Sequence, residues 1–191
     1  QNFQGATISA AQPATTLNFQ QSVGSFRMQP IYGGPVALPN DAQECNTLGN
    51  QWLQANRVAD AVRAYDRAIA LRADYVDPHF NRGNAMLRLQ RHEEALACFD
   101  KAIALSPQLA LAHYNRGTVL ESLGRKSEAM DSYRAVLALE PQHTQAQFNL
   151  GSLYLGLKQF DAAVACIDRV IAHAPQVAQA HFARGSAMLK T

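Results

Sequence analysis

Residues 76–109 are VDPHFNRGNAMLRLQRHEEALACFDKAIALSPQL, and residues 110–143 are ALAHYNRGTVLESLGRKSEAMDSYRAVLALEPQH. Aligned without a gap, both stretches contain the tripeptide Asn-Arg-Gly, an alanine twelve residues after its glycine, and an aromatic residue four positions further on. A pattern that returns at a fixed interval indicates a repeat architecture in which each unit is one supersecondary element.

The same period extends in both directions from these two stretches. Glycine recurs at the interval that separates Gly83 from Gly117, so that the full series is Gly49, Gly83, Gly117, Gly151 and Gly185. Twelve residues after the first four glycines come Ala61, Ala95, Ala129 and Ala163, and four residues later come Tyr65, Phe99, Tyr133 and Ile167. Three units close on Pro107, Pro141 and Pro175. The repeat therefore predicts units 42–75, 76–109, 110–143 and 144–177, with a partial fifth unit, 178–191.

Each unit carries apolar residues at helical spacing, which predicts two antiparallel helices per unit. The glycine and the alanine are expected where the two helices cross, because only small side chains allow a close approach. In the second helices, a core stripe is predicted from pairs of apolar residues seven apart, namely Val62 and Ile69, Leu96 and Ile103, Met130 and Leu137, and Val164 and Ile171. Proline is expected to end each second helix.

Glycine, alanine, aromatic and proline residues at these offsets resemble the tetratricopeptide repeat family over residues 42–191. The resemblance implies an all-α, right-handed superhelical solenoid of antiparallel helix pairs, whose first helices line a concave groove. The pattern is similar to the repeat region of O-linked N-acetylglucosamine transferases and to related bacterial repeat proteins.

Residues 1–40 have a different character from the array at 41–191. They contain one charged residue, Arg27, and are rich in Gln, Ser, Thr, Pro and Gly, which predicts a non-globular tail. Leu17-Asn18-Phe19 and Phe26-Arg27-Met28 alternate as short strands do, so we expect the tail to dock in extended form, in its own groove or that of another copy. Either Asn40 or Asp41 is expected to cap the first helix.

Composition excludes several classes of function. The 17 Lys and Arg residues are interspersed with 15 Asp and Glu residues, giving a net charge of +2. With no concentrated basic surface and no long apolar run, we expect neither a nucleic-acid partner nor membrane insertion. The start of the chain lacks a secretory pattern, which favours a cytoplasmic location.

No pattern of enzyme chemistry is present. The sequence has no phosphate-binding glycine loop, no HExxH and no GxSxG, so we expect no catalytic residues, no cofactor and no enzyme activity. His79, His113 and His181 share the fourth position of their units. Equivalent positions of successive units lie on the order of 10 Å apart, whereas zinc ligands lie about 2 Å from the ion. We therefore expect no metal site.

The binding surface follows from the resemblance. We define the groove face as the second, fifth, sixth, ninth, twelfth and thirteenth residues of each unit. Its sixth position holds the asparagine ladder, Asn81, Asn115 and Asn149, which is similar to the ladder of the glycosyltransferase repeats. A carboxamide has the donor and the acceptor that a peptide backbone needs. Alternatively, these asparagines bond to a neighbouring helix.

The fifth position of the groove face is aromatic in four units, at Phe80, Tyr114, Phe148 and Phe182. These rings are candidates for contact with a partner, or for packing between adjacent first helices. Asn50 and Asn84 match two amide positions of the clamp with which relatives bind chaperone carboxylates. However, Asn46 and Phe80 stand where that clamp needs lysine, which argues against it.

The arginines before three of the glycines, Arg82, Arg116 and Arg184, are expected to pair with acids such as Asp100. The leading functional hypothesis is a non-catalytic scaffold or adaptor that binds an extended peptide or a partner protein in the groove. One alternative is the substrate-presenting repeat region of a larger enzyme such as a glycosyltransferase. Another is self-association through residues 1–40 or the uncapped last helix.

Overall fold

The computed structural model describes residues 37–189, and this part of the chain is helical, without strands. Its elements are α1 (Ala42–Gln54), α2 (Val58–Leu71), α3 (Val76–Arg88), α4 (His92–Leu105), α5 (Ala110–Ser122), α6 (Lys126–Leu139), α7 (Thr144–Gly156), α8 (Phe160–His173) and α9 (Ala178–Met188). Helix α1 packs on α2, α3 on α4, α5 on α6 and α7 on α8, and each later first helix packs on the second helix before it. The predicted all-α solenoid is confirmed.

The glycines allow close contact between the two helices of a unit. A Cβ atom on Gly83 would lie 2.7 Å from Cε1 of Phe99, and one on Gly117 would lie 2.6 Å from Cε1 of Tyr133. These rings are fully buried, as are the alanines four residues before them. Gly185 differs from the earlier glycines, because a Cβ atom there would meet nothing within 4 Å.

The predicted core stripe of the second helices is only partly correct. Of its eight residues, Leu96 and Met130 are buried and the other six are half-buried. The central positions belong instead to the small alanines and to the residues at the aromatic position, Tyr65, Phe99, Tyr133 and Ile167. Each of those residues packs under the glycine of its own unit. The seven-residue spacing identified an apolar face, but the closest contact between helices lies beside it.

The turn inside each full unit repeats a left-handed backbone conformation. Asn56, Gln90, Gly124 and Lys158 occupy the same position of their units, with φ values of 58°, 60°, 74° and 59°. Glycine adopts this conformation without steric cost, whereas glutamine and lysine do not. Gly124 indicates this turn in the sequence, as does Asn56 more weakly, because asparagine tolerates the conformation better than glutamine or lysine does.

Charged pairs join successive units at three of the four junctions. Nε of Arg82 donates to Asp66, Nε of Arg116 to Asp100, and Nε of Arg184 to Asp168, over 2.7, 2.6 and 2.5 Å. The predicted pairing of these arginines is thereby confirmed. At the junction of α6 and α7 the equivalent residues are Arg134 and Leu150, and Arg134 bonds instead to the hydroxyl of Tyr154.

The ends of the helices follow from local sequence. Asp41 caps α1, because its carboxylate accepts hydrogen bonds from the backbone N–H groups of Gln43 and Glu44. This confirms one of the two predicted caps. Helices α4, α6 and α8 end two residues before Pro107, Pro141 and Pro175, where proline prevents the preceding residue from remaining helical.

Candidate functional site

The asparagine ladder lies on three successive first helices. Nδ2 of Asn81 donates to Oδ1 of Asn46 over 3.0 Å, and Nδ2 of Asn115 donates to Oδ1 of Asn84 over 2.8 Å. Both bonds connect a first helix to the first helix of the preceding unit. Nδ2 of Asn149 donates instead to the hydroxyl of Tyr133, on the preceding second helix, over 3.2 Å.

In each of the three ladder asparagines, therefore, the side-chain nitrogen donates a hydrogen bond. Within residues 37–189, the Oδ1 atoms of Asn81, Asn115 and Asn149 accept no hydrogen bond. All three side chains are half-buried. The alternative raised from sequence, a hydrogen bond to a neighbouring helix, therefore holds for the nitrogens of the three side chains.

Of the other two asparagines of the predicted site, Asn84 is bonded to the ladder and Asn50 is bonded to the core of its own unit. Asn84 accepts the bond from Asn115, and Oδ1 of Asn50 accepts a hydrogen bond of 2.8 Å from the hydroxyl of Tyr65. Asn46, the fifth residue of the first unit and so part of the predicted groove face, accepts from Asn81 and donates to the hydroxyl of Tyr75 over 3.4 Å. Carboxamide bonds thus link α1 to α3 and α3 to α5 on the groove side.

Of the aromatic residues at the fifth position, Phe80 and Tyr114 contact the second helix of their own unit. Tyr114 also stacks on His143, the N-cap residue of the next first helix, with the ring centroids 5.0 Å apart. The ring centroid of Phe80 lies 5.8 Å from that of Phe99, and the centroid of Tyr114 lies 5.9 Å from that of Tyr133. Both contacts are with the second helix of the same unit. Phe148 packs against the cluster around Ile167. Phe80, Tyr114 and Phe148 are half-buried, whereas their partners Phe99, Tyr133 and Ile167 are fully buried.

Phe182 is 79% exposed. It occupies the same unit position as the other three aromatic residues, on helix α9. No second helix of its own unit is among the residues that the structure describes, so this ring lacks the support that Phe80 has from Phe99.

Glu121 lies on the predicted groove face as the twelfth residue of its unit, and Tyr133 occupies the aromatic position of the core, but the sequence assigned neither of them a binding role. The Tyr133 hydroxyl donates to Oε2 of Glu121 and accepts from Asn149. Burial, together with this bond to Glu121, raises the pKa of Tyr133 above its ordinary value. Burial also raises the pKa of Tyr65 to about 12, against a smaller opposing effect of Arg88. Both tyrosines are therefore neutral hydroxyls that orient the groove side chains.

The histidines at the fourth position have a structural role. Nε2 of His79, His113 and His181 lies 3.0, 3.0 and 2.8 Å from the carbonyl oxygen six residues earlier, in the turn between units. Gln147 replaces histidine in the fourth unit and donates to the equivalent carbonyl of Pro141 over 2.7 Å. Each side chain thus satisfies a turn carbonyl. In the described part of the chain, no three potential ligands are grouped to hold a metal ion.

The three cysteines are free thiols. Burial raises the pKa of Cys45, Cys98 and Cys166, which keeps the thiols protonated at neutral pH. Cys98 accepts a hydrogen bond of 3.0 Å from Nη1 of Arg82. The three cysteines are therefore packing residues, because they are at least half-buried and their thiols are protonated.

Family comparison agrees with this architecture. The tetratricopeptide repeat model matches residues 120–187, and the TPR repeat model matches residues 49–90 and 87–124. The chain belongs to the tetratricopeptide repeat family. It is, in the general sense of that family, a protein-interaction scaffold. Among curated proteins, none matches the chain by sequence.

Solved structures of the same fold are similar to the chain. YrrB, described as a TPR protein with an unusual peptide-binding site, has a TM-score of 0.73 and 23% identity, covering 78% of this chain and 77% of that one. MamA from Desulfovibrio magneticus RS-1 has a TM-score of 0.73 and 22% identity, covering 81% and 87%. The first TPR of Spaghetti (RPAP3), bound to the HSP90 peptide SRMEEVD, has a TM-score of 0.60 and 24% identity, covering 64% and 98%.

Several expectations stay predictions. The tail at residues 1–36, with its strand-like segments and its proposed docking, lies outside the described residues, as does Lys190. Self-association and a role within a larger enzyme also stay predictions. Among the helices of residues 37–189, none has the length and apolar character needed to cross a membrane.

Proposed function

We propose that the chain binds an extended segment of another polypeptide along its groove face, without catalysing a reaction on it. The observation that carries this proposal is the state of the asparagine ladder. Three carboxamides are held through their nitrogens at the same position of successive units, and their oxygens have no partner among residues 37–189. A row of acceptors is suited to the N–H groups of an extended backbone.

The surroundings of the ladder support the same ligand. Half-buried rings of Phe80, Tyr114 and Phe148 precede the three asparagines by one residue, and they offer apolar contact for partner side chains. Because backbone groups are common to all peptides, the ladder supplies affinity and the flanking residues supply selectivity. YrrB and Spaghetti are described with a peptide-binding site and a bound peptide, which makes a peptide a natural probe for this chain.

A random peptide library tests the proposal directly. Peptides of about 12 residues are suitable, since they reach about 40 Å when extended and span about four units at about 10 Å each. After selection on the full chain, binding of one enriched synthetic peptide is measured by fluorescence anisotropy. Replacing Asn81, Asn115 and Asn149 by alanine should weaken binding by at least about tenfold, because three hydrogen bonds are lost.

The chain offers a matched control. Gln108, Gln142 and Gln176 are also amides at one position of successive units, and they lie exposed in the turns between units, away from the groove face. Replacing these three by alanine should leave peptide affinity unchanged. Equal affinity of both triple variants would contradict the ladder as the binding site. Thermal unfolding followed by circular dichroism checks that both variants are folded.

A further inference from the structure

The centre of the groove face carries a carboxylate where the other full units carry leucine. Glu121 is the twelfth residue of its unit, and the equivalent residues are Leu53, Leu87 and Leu155. On α5 it follows Tyr114 by seven residues and Thr118 by three, a spacing that places the three side chains on one face of the helix. A glutamate here interrupts a row of apolar residues.

Only one oxygen of this carboxylate is engaged. Oε2 accepts from the Tyr133 hydroxyl, which in turn accepts from Asn149 of the ladder. Within residues 37–189, Oε1 accepts no hydrogen bond, and no lysine, arginine or histidine forms an ion pair with Glu121. The side chain is half-buried, so it has lost part of its hydration without gaining a cation.

The other charges of the described groove face are in different situations. Nη1 of Arg88 donates to the carbonyl of Leu53 over 2.7 Å. Asp77 lies in the first turn of α3, where the N-terminus of the helix favours a carboxylate. Glu121 is thus the half-buried groove charge in this part of the chain that has neither a cation nor a helix N-terminus beside it.

We propose that Glu121 recognises a lysine or arginine side chain of the peptide bound on the groove face, and that it thereby selects peptides with a basic residue at that place. This inference rests on the proposed function of the groove. An ammonium or guanidinium group donates to Oε1, while the Tyr133 hydroxyl holds the other carboxylate oxygen in place. Because the same hydroxyl accepts a hydrogen bond from Asn149, it connects this selection to the ladder that contacts the peptide backbone.

The inference predicts discrimination by charge. An acidic peptide such as SRMEEVD, the ligand of the Spaghetti repeat, brings carboxylates to a groove that has Asn46 and Phe80 in place of clamp lysines. SRMEEVD carries one arginine beside three acidic side chains, so its net charge is negative. Because Glu121 repels a carboxylate and attracts a basic residue, the full chain should bind a selected basic peptide more tightly than the same peptide with glutamate in place of the basic residue.

The test is a random library of about 12 residues per peptide, selected in parallel on the full chain and on its Glu121→Gln variant. Glutamine keeps an oxygen that accepts from Tyr133 and removes the charge. Peptides selected on the unchanged chain should be enriched in lysine or arginine at one position, and those selected on the variant should not. The Glu128→Gln variant is the control, because Glu128 pairs with Arg125 outside the groove face.

A second measurement uses the peptide rather than the protein as the variable. In a synthetic peptide selected on the unchanged chain, replacing the basic residue by norleucine should weaken binding by about tenfold at low salt, and by less at high salt. The same replacement should change little when binding to Glu121→Gln is measured. This double comparison isolates the contact between the two side chains.

The outcomes separate the two claims. Three outcomes would overturn the role of Glu121 and leave the groove as a peptide site. They are enrichment of peptides without a basic preference, an equal basic preference on Glu121→Gln, and equal affinity for the selected peptide and its form with glutamate at the basic position. Failure of the unchanged chain to enrich any peptide overturns the proposed function, and the role of Glu121 with it.

Discussion

Two columns of repeated residues run along the array, and they use the repeat in different ways. In the interior column, the glycine of each full unit lies against the side chain sixteen residues later, as Gly83 does against Phe99. In the groove column, Asn81 bonds to Asn46, Asn115 to Asn84, and Asn149 to Tyr133, at three different sequence separations. Periodic sequence fixes the contact inside a unit, whereas contacts along the groove depend on what the neighbouring unit supplies.

The largest expected effect tests the interior column. Gly83→Ala places a Cβ atom 2.7 Å from the buried ring of Phe99, so either the ring or the helix must move. We expect the free energy of unfolding to fall by about 2 kcal/mol, since overpacking outweighs the helix preference of alanine. Urea unfolding followed by circular dichroism measures this change.

The matched variant for that prediction is Gly185→Ala. A Cβ atom there meets nothing within 4 Å, so the better helix propensity of alanine should raise stability by up to about 1 kcal/mol. If the two substitutions had the same effect on stability, close packing against the buried ring would not explain why glycine recurs at this position of the units.

A smaller effect is expected from pH at the ring of the first unit. Burial raises the pKa of Tyr65 from 10.0 to about 12. The unfolded chain therefore loses this proton first, and stability that is complete below about pH 10 declines as the pH rises towards about 12. Between about pH 8 and about pH 11 the loss should be about 1 kcal/mol.

The Tyr65→Phe variant isolates this contribution. Phenylalanine keeps the ring under Gly49, as Phe99 does under Gly83, but has no proton to lose. The free energy of unfolding of this variant, measured with urea, should therefore fall less between about pH 8 and about pH 11 than that of the unchanged chain. Identical slopes would show that the hydroxyl of Tyr65 is not responsible for alkaline loss of stability.

The smallest effect tests the groove column. A double-mutant cycle with alanine at Asn84 and Asn115 should give a coupling energy of about 0.5 kcal/mol or more, because the two carboxamides share a hydrogen bond. The cycle for Asn84 and Asn149 should give none, since no bond joins them. Equal couplings in both cycles would mean that the ladder is one uniform network.

Much of the fold could be predicted from sequence because each structural feature of the repeat appears at the same position in several units. Five evenly spaced glycines, four of them followed by alanine at a constant offset, identify the helix pairs and the tight crossing. The core stripe was harder to predict. Seven-residue spacing does not say which residue of an apolar face meets the partner helix, and the residues at the aromatic position took the central place from Ile69 and its equivalents.

The candidate site divides in the same way. Sequence pointed to Asn81, Asn115 and Asn149 because they repeat. It placed Glu121 on the groove face by position alone, without a role, because no other unit has a glutamate there. It also did not find the left-handed turn at Gln90 and Lys158, where neither residue favours the conformation. In these cases the tertiary structure, and not the residue type, sets the backbone conformation or the contacts of the side chain. For Glu121, the sequence signal that could have suggested a role is the glutamate at a position where the other full units have leucine.

The sequence by itself determined the solenoid and the length of its units, because each unit buries its apolar face only against the next one. The face on which a partner is expected came from the resemblance to the family. Tertiary structure decided how the groove is bonded. Whether a carboxamide offers its nitrogen or its oxygen depends on which donor or acceptor of another helix lies within about 3 Å. Distances of that kind are set by packing between units, and a one-dimensional pattern does not contain them.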